Sequence, residues 1–500
     1  MKPFLRKSIT LIAFLLVLVL VFAACGRDNG SVTTDTPPPP VAGNNDVTPP
    51  PPPPDNDDPA TAAEDAPRLG GIHQPRDLGG RTIMVTSYFD NAIAFTAQDW
   101  EEPDPATADN YFIDRLIWDN ARRVEQEFNI SLDSTNIYIH DLVAALTTSV
   151  MAGDAIGDIV FLNGDMILSA VIGDLIMPIT GINLPNSDFL GPQIFGRPIN
   201  DLHNEYWAFV GRGGVSIHNV MMGVNLDIIH AIGAQNPVDL YNQGRWTWDA
   251  ALEIMRMATR DTTGDGVFDQ WGIAAQPGDL INAFIATNDG ILVDDNFIYA
   301  FDHPNTVEAL EFMETIFREG LWQYDPILGI NVGDWARNFF AYQEGRAALF
   351  ISILWGMNDG NLPFEFAVVP FPTGPSNTTG AVQAGGWGGG YTLPFGSSWA
   401  PEDLLMIVEE FWAWPGDEPE LLLEEGIGWP RSVFLTEEDV QRHLSINTKT
   451  TMDVGNTVPQ FNWIFGTFAN HFANGTMTVM EAIEAYRGPQ QELLDLFFPR

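Results

Sequence analysis

Residues 261–272, DTTGDGVFDQWG, place oxygen-bearing side chains at the spacing of a calcium loop. Asp261, Thr263, Asp265 and Asp269 fall at loop positions 1, 3, 5 and 9, and Gly266 stands at position 6, where such a loop turns sharply. Position 12 should be a bidentate glutamate and is Gly272. With that ligand missing, the stretch reads first as an acidic turn of the fold and second as a structural calcium site. Catalytic signatures are absent from the sequence: no HExxH, GxSxG or GxxxxGK occurs, and no two histidines stand four apart. Among 66 acidic residues a glycosidase acid/base pair could still converge in space, which keeps a surface glycoside hydrolase as an alternative. A non-transport adhesin lipoprotein is a third reading.

Tryptophan carries more information. There are 15, and indole faces suit the apolar C–H faces of sugar rings, whose hydroxyls need flanking polar groups. Most must be core, with Trp118, Trp248 and Trp412 expected inside helices. Trp387 sits among glycines, which admit a ligand close to the backbone. Trp429 precedes Pro430 and Arg431 in a loop.

The elements that must position these groups can be read from periodicity. RTIMVTSYF (81–89) reads as a strand, and Ile113, Leu116, Ile117, Val124 and Phe128 recur at helical spacing. A second helix is expected over 142–151 and a buried strand, DIVFL, over 158–162. Strand–helix–strand alternation implies an α/β layer around a parallel sheet, with ligands beyond the carboxyl ends of its strands. Those ends carry Tyr88 and Asp90 after the first strand, and Asn163 and Asp165 after the buried one.

The N-terminus has a cationic start (Lys2, Arg6, Lys7) and an apolar run, LIAFLLVLVLVFAA. That run is shorter than the about 20 residues a membrane span needs and suits a secretory signal over 1–24. It ends in FAAC, so Cys25, the sole cysteine, resembles the lipidated residue of a bacterial lipobox, although Phe22 stands where leucine is usual. Residues 25–78 hold TPPPP and PPPPPP and read as a spacer between lipid and globule. The net charge of −43, with only three lysines, repels phosphate backbones and excludes nucleic acid as a partner.

The middle and end of the chain carry ordered landmarks: GGVSIHNVMMGVNLDIIHAIGAQNP, WTWDAALEIMRMATRDTTGDGVFDQWG, FFAYQEGRAALFISILWGM, FEFAVVPFPTGP with GGWGGGYTLP, EEGIGWPRSVF and TMTVMEAIEAY. Together they resemble the extracellular sugar-type solute-binding proteins (maltose-binding-protein-like), the receptors of ABC importers. The resemblance runs from about Arg81 to the C-terminus. It implies two α/β lobes built from discontinuous segments, with a hinge and an interlobe cleft: 79–217 plus 366–435 as lobe one, 218–365 plus 436–500 as lobe two. It also implies that Trp355 and Trp463 match stacking positions for a sugar. The expected protein is a monomeric, non-catalytic receptor, lipid-anchored on the outer face of the cell membrane. It would pass an oligosaccharide to the transmembrane subunits of a permease.

Overall fold

The computed structural model describes residues 71–88, 102, 105, 111–180, 205–209, 217–218, 220–323, 341–352, 357, 362–381, 387–412, 430–431, 433–447, 457–461 and 463–499. Two sheets organise them.

The first sheet has the strand order Ile130–Asn136, Arg81–Ser87, Ile159–Asn163, Trp387–Pro394 and Ile176–Met177, with Ile217–His218 paired to Trp387–Pro394. Its parallel strands are β1 (Arg81–Ser87), β2 (Ile130–Asn136) and β3 (Ile159–Asn163). Against β3 runs the antiparallel β10 (Trp387–Pro394), which also holds β4 (Ile176–Met177) and β5 (Ile217–His218). Every residue of β3 is buried, as expected of a central strand covered on both faces. Gly389 is required where β10 crosses it, because a Cβ there would stand 2.3 Å from the Leu162 carbonyl oxygen.

Helix α1 (Tyr111–Phe128) buries Leu116, Val124 and Phe128 at the spacing read from the sequence, the last two in the core of this sheet. Asn129 then turns the chain with a positive φ of 47° into β2. Helix α2 (Leu142–Ala152) ends on Gly153 in the left-handed conformation, and α3 (Gly164–Ile172) follows β3 without a linker. Helix α9 (Pro401–Trp412) packs on α1. Its adjacent Glu409 and Glu410 side chains are fully buried. His73 meets Glu409 at 2.6 Å, and Glu410 accepts from the His73 amide and from Arg123. The segment entering β1 is thereby strapped onto α9. Trp118, expected in the core, is instead half-buried beneath the Arg115 and Arg122 guanidinium groups.

The second sheet has the order β7-β8-β6-β9: Trp271–Ala274, Ala347–Ser352, Met221–Asn225 and Phe366–Val369. Strands β7 and β8 are parallel, while β6 runs against β8 and β9. Phe350 of β8 lies so close over β6 that a Cβ at Gly223 would stand 2.1 Å from its ring, and Tyr342 stacks on Phe350 at 4.6 Å. Around this sheet stand α4 (Leu226–Ile232), α5 (Pro237–Asn242), α6 (Trp248–Ala258), α7 (Pro277–Ala286) and α8 (Pro304–Arg318). After them come α10 (Glu437–Asn447), α11 (Trp463–Asn474) and α12 (Val479–Phe497). Phe301, Phe461, Phe465 and Phe468 form a ring-on-ring core between α11 and its neighbours. A capping box, in which Thr478 and Glu481 each accept the other's amide, starts α12.

Two expected boundaries move. Phe366–Val369, assigned to lobe one, pairs with β6 and so belongs to the second sheet. The segment after it stays there too. Gly374 donates to the Thr287 carbonyl, Ser376 hydrogen-bonds Asn288 and Glu308, and Thr378 and Thr379 bind the Asp289 carboxylate. The return to the first sheet is complete only at β10. Likewise Val433 and Phe434, also placed in lobe one, pack with Met221, Phe350 and Phe366 of the second sheet.

Candidate functional site

The three parallel strands of the first sheet end side by side, and their last residues are polar. Ser87, at the end of β1, donates its hydroxyl to the Asn136 side-chain oxygen at the end of β2 (3.3 Å). One residue on, the Tyr88 hydroxyl donates to Asn163 Oδ1 at 2.6 Å. Asn163 closes β3 and is the N-cap residue of α3, yet its side chain makes no cap bond, because that oxygen receives Tyr88 instead. Asp165 lies in the first turn of α3, where the helix dipole favours a carboxylate.

Electrostatics tie these groups together. Burial pushes the Tyr88 phenol up, the Asn163 hydrogen bond pulls it down, and the nearby Asp165 charge raises it again. Tyr88 is therefore a neutral hydroxyl at physiological pH. Burial also raises the Asp165 carboxyl, against hydrogen bonds from backbone amides that lower it. Tyr88 is held edge-on to Phe161 at 5.9 Å, and Phe161 edge-on to Tyr391 at 5.1 Å, so an aromatic row beneath the rim fixes its rotamer. The result is a phenol, a primary amide and a carboxylate in one place, a mixed donor and acceptor set suited to hydroxyl-bearing ligands.

Of the residues singled out in the sequence, Tyr88, Asn163 and Asp165 are thus brought together. Asp90, Trp355, Trp429 and Cys25 lie outside the described residues. Trp387 is described through its backbone, which pairs with His218 in the first sheet. Trp463 opens α11 beside the second sheet and is 64% exposed, so its indole is not a core side chain. Trp248, by contrast, is buried and stacked on Phe312 at 4.6 Å. Ser87 and Asn136 went unnoticed in the sequence. Their one signal was position, at the ends of parallel strands.

The acidic loop is closed by its own amides. Asp261 accepts from the backbone of Thr263, Gly264 and Gly266, Asp265 from Val267, and Asp269 from Thr262. Hydrogen bonds from Gly266 and Gly264 hold Asp261 below the usual carboxylate range, and the Thr262 amide does the same for Asp269. Thr263 turns its hydroxyl to Asp261. Among the described residues no three His, Cys, Asp or Glu side chains converge as a metal site. These hydrogen bonds close the turn between α6 and β7.

Comparison of the whole structure with solved ones is decisive for the fold. A maltose/maltodextrin-binding domain from Bdellovibrio bacteriovorus, bound to maltotriose, matches with a TM-score of 0.54 at 13% identity, over 82% of this chain and 99% of that one. The fold is that of the sugar-type solute-binding proteins. An ABC substrate-binding protein from Listeria monocytogenes, in complex with cycloalternan, matches at 0.54 and 14% identity over 83% and 98% of the two chains. An ABC transporter solute-binding protein from Thermotoga lettingae, bound with α-D-tagatose, matches at 0.53 and 13% identity over 83% and 100%. No family sequence model matches the chain, and no curated protein matches it in sequence. The polar rim lies at the strand ends of the first sheet, and Trp463 on α11, among the helices that accompany the second.

Proposed function

We propose that the protein is a receptor that captures a hydroxyl-rich solute, an oligosaccharide, outside the cell and delivers it to an ABC-type permease without chemical change. The observation that supports this most is the convergence of Tyr88, Asn163 and Asp165 at the carboxyl ends of parallel strands, where open α/β sheets take their ligands. An exposed tryptophan on the other lobe supplies an apolar face of the kind a sugar ring covers. The chain's charge of −43 favours a neutral ligand over an anionic one, since its field opposes the approach of anions. In this reading the diacylated Cys25 holds the receptor at the membrane through the proline-rich spacer.

One measurement tests both parts. Protein extracted from the membrane fraction in detergent and examined by native mass spectrometry should show a mature chain beginning at Cys25 with added acyl mass. It should also carry a retained carbohydrate that is released unaltered on unfolding. A chain without acyl mass removes the anchor from the proposal. A carbohydrate returned shortened would make the protein a hydrolase. No retained carbohydrate, together with no melting shift from any sugar tried, would remove the sugar.

A further inference from the structure

Strand β2 ends the first sheet, with β1 as its neighbour among the described residues. Its residues from Asp133 to Asn136 are exposed. In a parallel pair, alternate residues of a strand direct their backbone groups to the partner, and the Ile137 amide, which donates to the Ser87 carbonyl at 2.8 Å, fixes the parity. Odd-numbered residues of β2 therefore bond β1, and the amides of Leu132 and Ser134 point off the sheet. Outward amides along an edge are what an incoming strand pairs with.

Both of these donors are already taken, each by a carboxylate. Glu125 reaches the edge from α1 and accepts the Leu132 amide at 3.0 Å, while Arg122 of the same helix holds that carboxylate at 2.7 Å. Asp133 accepts the Ser134 amide at 2.8 Å. Leu132 and Ser134 flank Asp133, the midpoint of the seven-residue strand. In a twofold pair of β2 strands, antiparallel and centred on Asp133, Leu132 of each copy would exchange both backbone bonds with Ser134 of the other. The same register would set Asp133 against its own copy in the closer, non-hydrogen-bonded position. There Cα atoms stand about 4.5 Å apart and like charges repel. Apart from Asp133, the strand ISLDSTN has no charge and no proline, so nothing else in it opposes pairing.

We propose that Glu125 and Asp133 guard the β2 edge and keep the first sheet from pairing, antiparallel, with the β2 strand of a second copy of this chain. They act as competing acceptors. Each occupies a donor that the second strand would use, and each places negative charge where that strand's carbonyl oxygens would arrive.

The test is the particle mass of the full chain, extracted in detergent, measured by sedimentation at up to about 0.1 mM protein, where exposed edges associate. High salt screens the repulsion between two chains of net charge −43 and leaves the edge itself to decide. Wild type should sediment as one chain. Glu125→Ala combined with Asp133→Thr should double in mass. Asp133→Thr alone changes an exposed residue and so keeps the fold, and it should give a smaller dimer fraction because Glu125 still holds the Leu132 amide. Adding Ser134→Pro to the double variant removes an outward donor without touching the ladder to β1, and should return it to a monomer. A double variant that melts like wild type and stays monomeric would overturn the proposal. So would a dimer that survives Ser134→Pro, which would put the contact elsewhere, or a wild type already paired through β2. Should the double variant fail to fold, Asp133→Thr decides alone, and its remaining monomeric at every concentration would overturn the guard.

Discussion

The half of the molecule built on the first sheet and the half built on the second both bury apolar cores, but differ in what is buried beside them. In the first half, α9 buries two adjacent carboxylates, which are met by His73 and Arg123 and, through Asn120, tied to backbone carbonyls at the helix end. In the second, the corresponding depth is filled with rings: Trp248 on Phe312, Tyr299 on Phe301, and the phenylalanines of α11. Apolar burial is indifferent to the order in which contacts form, whereas a buried carboxylate is costly until its partner arrives. The first half therefore adds two paired carboxylates to an apolar core that includes Ile83, Val124, Phe128 and Leu404, whereas the second adds stacked rings to its own. The surfaces differ as well: the strand ends of the first sheet carry polar groups, and α11 opens on an exposed indole.

The sharpest way to break this comparison is to remove a ring from the second half. Trp248→Ala should cost about 3–5 kcal/mol, as expected for truncating a buried tryptophan, measured by denaturant unfolding. A loss below about 1 kcal/mol would mean that the ring cluster does not carry that half. Removing a cation from the first half comes next. Arg123→Ala leaves Glu410 with the His73 amide alone, and because the guanidinium is partly exposed the cost should be about 2 kcal/mol rather than the full value for a buried pair. Restoration by Arg123→Lys should be incomplete, since one ammonium cannot serve Glu410, Glu127 and Asn120 as the guanidinium does.

Trp463→Ala should behave differently from Trp248→Ala. Melting without ligand should hardly move, because the side chain is exposed, while sugar affinity should fall by tens-fold, each tenfold being about 1.4 kcal/mol. A destabilised variant with normal affinity per folded molecule would return Trp463 to the core.

The smallest effect concerns Asp289, which pins the segment after β9 to the second half. Partial burial opposes its ionisation, but hydroxyls and amides of Thr379 and Thr378 outweigh it and hold the carboxyl at about 2. Its unfolded value is about 3.9, so the contribution is present above about pH 4 and disappears as pH falls toward 2. Asp289→Asn should flatten that acid limb of the stability profile and leave stability at pH 7 slightly lower. Identical acid unfolding curves for variant and wild type would show that these hydrogen bonds are not maintained in solution.

What the sequence disclosed was what is local. The helix over 111–128 and the strands at 81 and 159 were legible because their apolar spacing reports one buried face or two. Phe366–Val369 was placed in the wrong half because FAVV, a short run buried throughout, says nothing about which sheet it joins. Only its register with β6 decides that. The pairing of His73 with Glu409 spans 336 positions and leaves no periodic trace. At the rim, Tyr88, Asn163 and Asp165 were reachable by asking which residues stand at or just past the end of each strand, and the same question asked of β2 would have reached Asn136. Trp118 misled because a tryptophan inside an amphipathic helix is usually core, whereas here arginines of its own helix cover its face.

The interleaving of the two sheets has a consequence for assembly during synthesis. All four strands of the second sheet lie between Met221 and Val369, enclosed within a first sheet whose β3 must wait for β10, more than two hundred residues later. A chain emerging from its N-terminus exposes β1, β2 and β3 early, with one flank of β3 open and Glu409 not yet made. Such contacts, distant along the chain, are reached slowly. The inner lobe can close its strand ladder while the outer one is still a three-stranded fragment. The clasp on Glu409 thus joins a residue made before β1 to a helix made 336 positions later, so the first half cannot close until most of the second has been synthesised.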